Sequence, residues 1–543
     1  MNKKIKQNGP IRVADVTIAQ LSHGLYRSTA TAFKELVSNA YDADAEEVRI
    51  DTNYPEFDFI SCVDNGMGMP LEKFLRYFSE EGIGSCIKRK NERDRTEIHN
   101  RPIIGKLGIG MLAVGQLCNS FEIESHYNEN GMDKAYRAEI VLRDVDIPDK
   151  EDVIKNDDLI TKEIDVGTWE YEIIDFEEKK RGFRIYSSDV RNTFRYEMKS
   201  SIDEKDLNQI SFRFSNLHSE FYQKSRKSVR DCKPYLETIW ELAILCPLPY
   251  YDKKKKYPVN LSSFSMQDKK SNEFHQATQL IQSRQAEFIN YNFRVFFDGI
   301  ELKRYIQLPT EGGTIPKIYF LDFDDIVFDS RLKFSGYLFA QVPSAIKPLE
   351  LNGVQIRLRG VGIGGYDSTF FKYYKQIETI RSRWVSGEIF IDEGLEPALN
   401  IDRDSFNEHD EHFKELQVFL HKKLDTVFDE INAIARERSD EKRSKKDEES
   451  KTYLEAIIAK ELKGKFKLRR RNLLEVDDPI VVDTEKGEII LNTAVRSVKK
   501  QRADNIIRAV MLAYHTARRT TDLEEECNIK FYQLVKDIIN ELI

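Results

Sequence analysis

Three polar side chains suited to a metal-bound polyphosphate share one face of a predicted helix. Glu35, Asn39 and Asp42 lie in the stretch 33–45. At about 100° per residue they fall within roughly 60° of one another, and apolar residues form the other side. Two carboxylates flanking an amide make a poor salt-bridge ladder, but they suit a Mg²⁺-bound phosphate chain and its attacking water. For this stretch alone, a polar face that is simply exposed to solvent remains the alternative interpretation.

Two glycine-rich motifs follow within one domain's length of chain. Residues 64–69 (DNGMGM) come directly after the apolar run 57–63, which predicts a strand that runs into a tight turn. Residues 105–110 (GKLGIG) precede small and apolar residues, which predicts a loop that opens a helix. Backbone N–H groups at such a loop are typical phosphate ligands.

In this order the three motifs resemble the nucleotide pocket of the GHKL superfamily, which includes gyrase-type topoisomerases, the heat-shock protein 90 chaperone, histidine kinases and MutL. The resemblance implies an α+β fold. Its parts would be a two-layer α/β sandwich (Bergerat) nucleotide domain, a second α/β (S5-like) transducer domain and a helical C-terminal region. It also implies ATP and Mg²⁺ as ligands and a homodimer. Residues 1–30 would form a strap on the partner subunit or an ordinary edge element.

The resemblance also assigns roles to the polar residues. Glu35 would be the general base that deprotonates the attacking water, and Asn39 would be the amide ligand of Mg²⁺. Asp42 would support both from behind. Asp64 would accept a hydrogen bond from the adenine amino group and so select ATP over GTP, although an Asp before Gly is also common in turns.

The remaining implied nucleotide contacts lie in a lid and in the glycine motifs. Residues 71–104 would form an ATP lid, whose Ser85 and Lys88 contact phosphates on closure. For Lys88, a solvated basic loop is the alternative. Glycines let the backbone approach the nucleotide without a Cβ in the way. The implied set is completed by Gly66, Gly68, Met69, Gly105, Lys106, Gly108 and Gly110.

A further motif occurs in the predicted second domain. Residues 399–403 (LNIDR) follow a strand and resemble the middle domain of the heat-shock chaperone, where a catalytic loop brings an arginine to the γ-phosphate. The resemblance implies that Arg403 is this cis-acting arginine and that Asn400 positions the loop. Surface pairing of Arg403 with Asp402 or Asp404 is the alternative.

The rest of the sequence predicts the domain organisation. The second domain includes a strand-like segment at 293–297 and a helical stretch around 370–380. An apolar seam beyond it, stepping by three or four, predicts a long helix that needs a partner in the chain or in a second copy. The predicted regions are an ATP-binding domain at 1–248, a middle domain at 258–408, a long helix at 409–462 and a small C-terminal domain at 463–543 that could dimerise.

Composition limits the class of protein and the cellular compartment that the sequence predicts. The chain has 543 residues, of which 40% are hydrophobic, and it carries a net charge of −8. A mildly acidic net charge does not favour a protein dedicated to binding nucleic acid, although local basic stretches can still contact nucleic acid. Six scattered cysteines without metal-ligand spacing predict reduced thiols in a cytoplasmic protein. The absence of a run of about 18 apolar residues predicts no membrane span.

Together these features predict a slow, Mg²⁺-dependent ATPase that works as a conformational machine. One class is a heat-shock protein 90-like chaperone or remodeller. The other is a MORC/MutL-like ATP-gated nucleic-acid clamp in genome or antiviral defence, with basic stretches at 253–256 and 463–471 as contacts. A third possibility is a nucleotide-gated scaffold with negligible hydrolysis of ATP. The sequence leaves the protein client or nucleic acid undetermined.

Overall fold

The computed structural model of the chain contains two compact units, residues 1–429 and 430–543. The structure describes residues 6–13, 28–76, 78, 95–105, 110–142, 164–199, 214–222, 227–232, 234–252, 258–310, 312–375, 379–400, 404–461, 467–475, 480–483, 486, 488–492 and 494.

A nine-stranded sheet forms one layer of the first unit. Its strands are β1 (Lys6–Val13), β2 (Glu47–Asp51), β3 (Ile60–Asp64), β4 (Cys118–Glu129), β5 (Met132–Leu142), β6 (Ile164–Ile174), β7 (Gly182–Val190), β8 (Arg294–Phe297) and β9 (Ile300–Glu301). Their order across the sheet is β1-β6-β5-β4-β7-β3-β2-β8-β9. Neighbours are antiparallel except for the parallel pair β2 and β8.

Helices form the second layer of this α+β sandwich. They are α1 (Thr29–Asp42), α2 (Leu71–Leu75), α3 (Asn192–Lys199), α4 (Phe214–Phe221), α5 (Pro234–Leu245) and α6 (Asn272–Asn290). Ser28 caps α1 by accepting a hydrogen bond from Thr31 N at 3.4 Å. The ring of Phe33 on α1 lies edge-on to Phe297 of β8 at 5.3 Å and to Phe194 of α3 at 6.3 Å. The apolar face of α1 is therefore buried against the sheet, which leaves its polar face to build the site.

Two sequence predictions about segment placement are resolved by this sheet. The segment 293–297 was expected in the second domain, but β8 pairs with β2 in the first sheet. Packing decides this placement, because Val295 and Phe297 are buried in the core of the first layer. At the other end, β1 pairs with β6 at the sheet edge, so residues 6–13 are an edge element of their own domain.

A five-stranded sheet forms the rest of the first unit. Its strands are β10 (Ile315–Val327), β11 (Ser330–Val342), β12 (Gly353–Leu358), β13 (Val361–Asp367) and β14 (Val385–Glu393), in the order β10-β11-β14-β12-β13. The predicted helix around 370–380 is wrong over its described part. Phe370, Phe371 and Lys372 form a turn with positive φ, and α7 (Thr379–Ser382) is short.

A helix of 51 residues, α8 (Glu411–Glu461), confirms the predicted long helix. Within the first unit its seam is buried by the chain itself, since Phe413 contacts Phe371 and Phe419 contacts Phe334 of β11. In the second unit, β15 (Lys467–Arg471), β16 (Ile480–Asp483) and β17 (Glu488–Asn492) form a small sheet. No helix in the described ranges has the length and apolarity needed to cross a membrane.

A buried polar cluster joins the two sheets of the first unit. The carboxylate of Glu388 on β14 accepts hydrogen bonds from Arg357 Nε at 2.5 Å, Arg304 Nη1 at 3.0 Å, Tyr250 OH at 2.5 Å and Tyr337 OH at 2.7 Å. Burial alone would raise the pKa of Glu388, but the two guanidinium groups outweigh it and hold the pKa at about 2. Because every partner is buried, separating the segments would leave charges unpaired away from water.

Candidate functional site

The polar face of α1 carries the three residues identified in the sequence. Glu35 is buried, Asn39 is exposed and Asp42 is half-buried, so burial changes along the face. All three belong to one continuous helix that ends at Asp42. The arrangement places an amide at the surface between two carboxylates in more enclosed positions.

The first glycine motif meets the C-terminal end of α1. Met67 N donates a hydrogen bond to Ala43 O at 2.8 Å. Asp64 ends β3 in a buried position, and its Oδ1 accepts a hydrogen bond from Gly66 N at 2.8 Å. Burial raises the pKa of Asp64 to about 7, against the opposing effect of the N–H groups of Gly66 and Phe183. A carboxyl group held in an apolar surrounding with one oxygen engaged is suited to recognise a single donor on a ligand.

Both glycines of this motif are required by close backbone contacts. A Cβ on Gly66 would lie 2.6 Å from Ala43 O. Gly68 has φ +72°, and a Cβ there would lie 2.7 Å from His126 O. Met69 is fixed next to them, since its N–H donates to Ser125 Oγ at 2.8 Å.

The second glycine motif is held by the same end of α1. Asp42 accepts hydrogen bonds from Ile104 N at 2.7 Å and from Gly105 N at 2.5 Å. Any side chain at 105 would collide with this carboxylate, because a Cβ would lie 2.6 Å from Asp42 Oδ2. After the loop, Gly110–Gln116 form a 3₁₀ helix where the sequence predicted a helix. Residues 42 and 43 thus bring both glycine motifs to one end of α1.

The segment 95–105, at the end of the predicted lid, is anchored by residues that the sequence did not single out. Arg101 is fully buried and donates to Ala45 O at 2.6 Å and to Tyr291 O at 2.9 Å. Asp44 accepts from the N–H groups of residues 98 and 99 at 2.9 and 3.1 Å. These contacts fix the approach of the chain to Gly105.

The loop predicted to carry the catalytic arginine lies against the other end of α1. Asp404 accepts a hydrogen bond from Lys34 Nζ at 2.6 Å and from Thr31 Oγ1 at 3.1 Å. Asn400 bridges the base of the loop, with its Nδ2 donating to Ser405 Oγ at 2.9 Å. A single helix therefore contacts both glycine motifs and the 399–406 loop.

Comparison with known proteins agrees with this geometry. Residues 26–161 match the family model described as "Histidine kinase-, DNA gyrase B-, and HSP90-like ATPase". This region is a GHKL-type ATPase domain. The match contains α1 and both glycine motifs, and it ends before the second sheet.

Two further known proteins are similar to this chain. The chain is 39% identical over 113 residues to the "Putative type II restriction enzyme HgiDII" of Herpetosiphon aurantiacus. That alignment covers 20% of this chain and 16% of the relative, so the two share a segment rather than a whole architecture. A solved structure titled "Crystal Structure of N terminal domain of a DNA repair protein" aligns with 76% of this chain and 97% of its own, at 12% identity and a TM-score of 0.33.

The described part of the GHKL domain contains most of the predicted nucleotide contacts. Glu35, Asn39, Asp42, Asp64, Gly66, Gly68, Met69 and Gly105 lie around the C-terminal half of α1 and the two motifs, and the backbone of Gly110 begins the 3₁₀ helix. Ser85, Lys88, Lys106, Gly108 and Arg403 lie outside the described residues, as does much of the predicted lid.

Sequence reasoning missed the residues that hold the site together. Lys34 sits beside Glu35 among apolar neighbours, and a charged residue there was the available signal. Asp44 follows Asp42 by two positions and could have been grouped with it. Arg101 offers no local pattern, because its partners are backbone carbonyls from distant segments.

Proposed function

We propose that this protein is a Mg²⁺-dependent ATPase whose nucleotide site is completed by the 399–406 loop of the second sheet. The observation that carries the proposal is the convergence on α1. Asp42 and Ala43 bind the two glycine motifs, while Thr31 and Lys34 bind Asp404 of the loop. Three segments that are distant in sequence thus contact the one helix that carries the proposed base.

We place the adenine end of ATP beside the buried carboxyl group of Asp64. Its Oδ1 is engaged by Gly66 N, which leaves Oδ2 to accept a hydrogen bond from the adenine amino group. Gly66 and Gly68 let the motif approach the backbone oxygens of Ala43 and His126 closely, which holds the motif beside Asp64. Met69 would pack against the base.

The phosphate end fits the polar face of α1. Asn39 presents an exposed amide, and one such ligand suits Mg²⁺, which keeps several waters and is otherwise bound by substrate phosphates. Among the described residues no cluster of three or more His, Cys, Asp or Glu could hold a metal ion by itself. Bound Mg²⁺ would neutralise charge on the phosphates. Ser85, Lys88, Lys106, Gly105, Gly108 and Gly110 are the proposed phosphate contacts.

Two residues are proposed to act on the reacting groups. Glu35 would accept the proton of the attacking water, and Arg403 would stabilise charge on the γ-phosphate. Asn400 would shape the loop that carries Arg403, which agrees with its hydrogen bond across the loop to Ser405. The burial of Glu35 would keep bulk water away from the step.

Phosphate release tests this activity directly. We expect purified protein to release phosphate from ATP with Mg²⁺ and to fall to background when EDTA is added. GTP should be a poor substrate, since its base presents a carbonyl where adenine has an amino donor. ATP binding without any phosphate release would contradict hydrolysis and favour the nucleotide-gated scaffold.

A role on nucleic acid is the second candidate, and the relative named as a restriction enzyme favours it. Of the basic stretch 463–471, two arginines are already paired, since Arg469 and Arg471 contact Glu488 at 3.3 and 3.0 Å. We therefore place the proposed contact on the stretch as a whole, including its lysines, rather than on these two side chains. Homodimerisation would give a clamp two such stretches.

Duplex DNA separates this candidate from a chaperone-like remodeller. For a clamp, we expect DNA to raise the rate of ATP hydrolysis and its affinity to fall steeply between 50 and 200 mM salt. Replacing Lys463, Lys465 and Lys467 with glutamine should weaken binding and flatten the salt dependence. Turnover that is indifferent to DNA would instead support the remodeller.

A further inference from the structure

The contact between Lys34 and Asp404 is a buried ion pair between segments 370 positions apart. Lys34 Nζ lies 2.6 Å from Asp404 Oδ1, and the two side chains are 1% and 6% exposed. Thr31 Oγ1 donates to the other oxygen, Oδ2, at 3.1 Å. Both oxygens of this carboxylate are therefore bound by α1, one turn from its capped end.

The position of this pair relates it to the proposed chemistry. Lys34 directly precedes Glu35, the proposed base, and Asp404 directly follows Arg403, the proposed cis-acting arginine. A contact that fixes residue 404 on residue 34 also limits how far the chain at 403 can be from residue 35. The pair can therefore set the geometry of two catalytic groups without touching the substrate.

The loop that carries Asp404 is closed at its base. Asn400 N donates to Ser405 O at 3.0 Å, Asn407 N donates to Ala398 O at 2.7 Å, and residues 399 and 406 form a bridge. On its other side, Gly364 of β13 has φ +65°, and a Cβ there would lie 2.7 Å from Asp404 O. Asp404 is thus held between β13 and α1.

The second sheet itself is joined to the first layer by the buried cluster around Glu388. Its partner Arg304 also donates to Leu248 O at 2.7 Å, and Arg357 donates to Ile244 O at 2.6 Å. A swing of the whole sheet would break the bonds that Glu388 accepts from Arg304 and Tyr250, the bond from Arg357 to Ile244 O and the ion pair. The second sheet is therefore joined to the first layer by bonds between protein groups alone.

We propose that Lys34, with Thr31, is the docking site for the 399–406 loop, and that Asp404 anchors this loop on the nucleotide helix before ATP arrives. Lys34 and Asp404 are positioning residues. This inference rests on the proposed ATPase function. It adds that no closure of one domain on the other is needed to bring the loop to the nucleotide site. The arginine would be carried to the site by folding of the chain.

A double-mutant cycle tests the positioning role. We expect Lys34→Met and Asp404→Asn each to lower kcat by at least roughly tenfold while the Kd for ATP stays within about threefold, because binding does not need the loop. The double variant should lose no more than the worse single variant, since both remove the same contact. Wild-type kcat in either single variant, multiplied losses in the double, or an equal loss of ATP binding would each overturn the proposal.

Hydrogen exchange provides a readout that does not depend on hydrolysis. Amides of residues 400 and 407 should be protected in the nucleotide-free wild type and should exchange at least roughly tenfold faster in Asp404→Asn. Glu408→Gln is the matched control, because it removes an exposed contact with Lys372 near the same loop. Absence of protection in the nucleotide-free wild type, or unchanged exchange in Asp404→Asn, would contradict docking even if the protein proves not to hydrolyse ATP. If docking is confirmed but no variant or wild type releases phosphate, the proposed function fails and the docking site stands.

Discussion

Replacing Glu35 with alanine is expected to abolish ATP turnover while ATP binding is retained. The carboxylate is buried on the polar face of α1, one turn before the exposed amide of Asn39. Removing a positioned general base lowers a rate by roughly 10²- to 10⁴-fold. Because the proposed nucleotide contacts lie at Asp64 and the glycine motifs, the Kd for ATP should change little. Single-turnover phosphate release and calorimetric titration with ATP measure the two quantities separately.

Two variants accompany this measurement. Glu46→Ala removes an exposed carboxylate close to the end of α1 and should leave turnover unchanged. Glu35→Gln keeps the size of the side chain but cannot accept the proton, so it should lose turnover like Glu35→Ala. If Glu35→Ala hydrolyses ATP at the wild-type rate, the assignment of the base is wrong.

Replacing Asp64 with asparagine is expected to abolish ATP binding. The oxygen of the new amide would keep the hydrogen bond from Gly66 N, which now goes to Asp64 Oδ1 at 2.8 Å. Its NH₂ group would then face the adenine amino group, so two donors would oppose each other in a buried site. Losing a hydrogen bond to a charged group and leaving donors unpaired weakens binding by roughly 100-fold or more. Calorimetric titration with ATP provides the measurement.

The folded state of this variant can be checked through its pH dependence. Burial raises the pKa of Asp64 from 3.8 to about 7. Ionisation therefore destabilises the fold from about pH 4 upwards, and the penalty reaches its full size above pH 7. Asp64→Asn should accordingly raise the free energy of unfolding at pH 8, by an amount on the order of a few kcal/mol, while Asp133→Asn at an exposed position should not change it. Loss of ATP binding in an equally stable or more stable protein would exclude unfolding as its cause.

The same pKa predicts how the affinity of the wild type changes with pH. An ionised Asp64 is the better acceptor, and its ionised fraction falls as the pH falls through about 7. Between pH 8 and pH 6 the Kd for adenosine, which does not titrate in this range, should rise by roughly tenfold. An affinity that is constant over this range would show that the carboxylate does not contact the base.

Much of the candidate site could be predicted from the sequence because its residues lie close together in the chain. A helix face of Glu35, Asn39 and Asp42 follows from helical periodicity, and the glycines at 66 and 68 follow a strand directly. The long helix α8 was predicted for the same reason, since its apolar seam repeats over many turns. The family match over residues 26–161 agrees with these motifs.

The errors occur where packing overrides local pattern. Residues 294–297 look like any short strand, and only the buried position of Phe297 against Phe33 places them in the first sheet. The aromatic stretch after β13 was read as helix, but Phe370 and Phe371 adopt positive φ and pack their rings on α8. Such contacts join segments that are far apart in the chain, so the spacing of residues within one segment does not predict them.

By itself, the sequence determined the polar helix face and the two glycine motifs of the candidate site, because short-range spacing decides what one helix face or one turn presents. Only the tertiary structure decided how those residues are held. Asp42 on the second glycine motif, Arg101 on distant carbonyls and Lys34 on Asp404 are contacts between segments that meet only after folding. An ion pair across such a distance needs one charged residue at each end, and a hydrogen bond to distant backbone needs only one. A single charged residue leaves no pattern in a sequence.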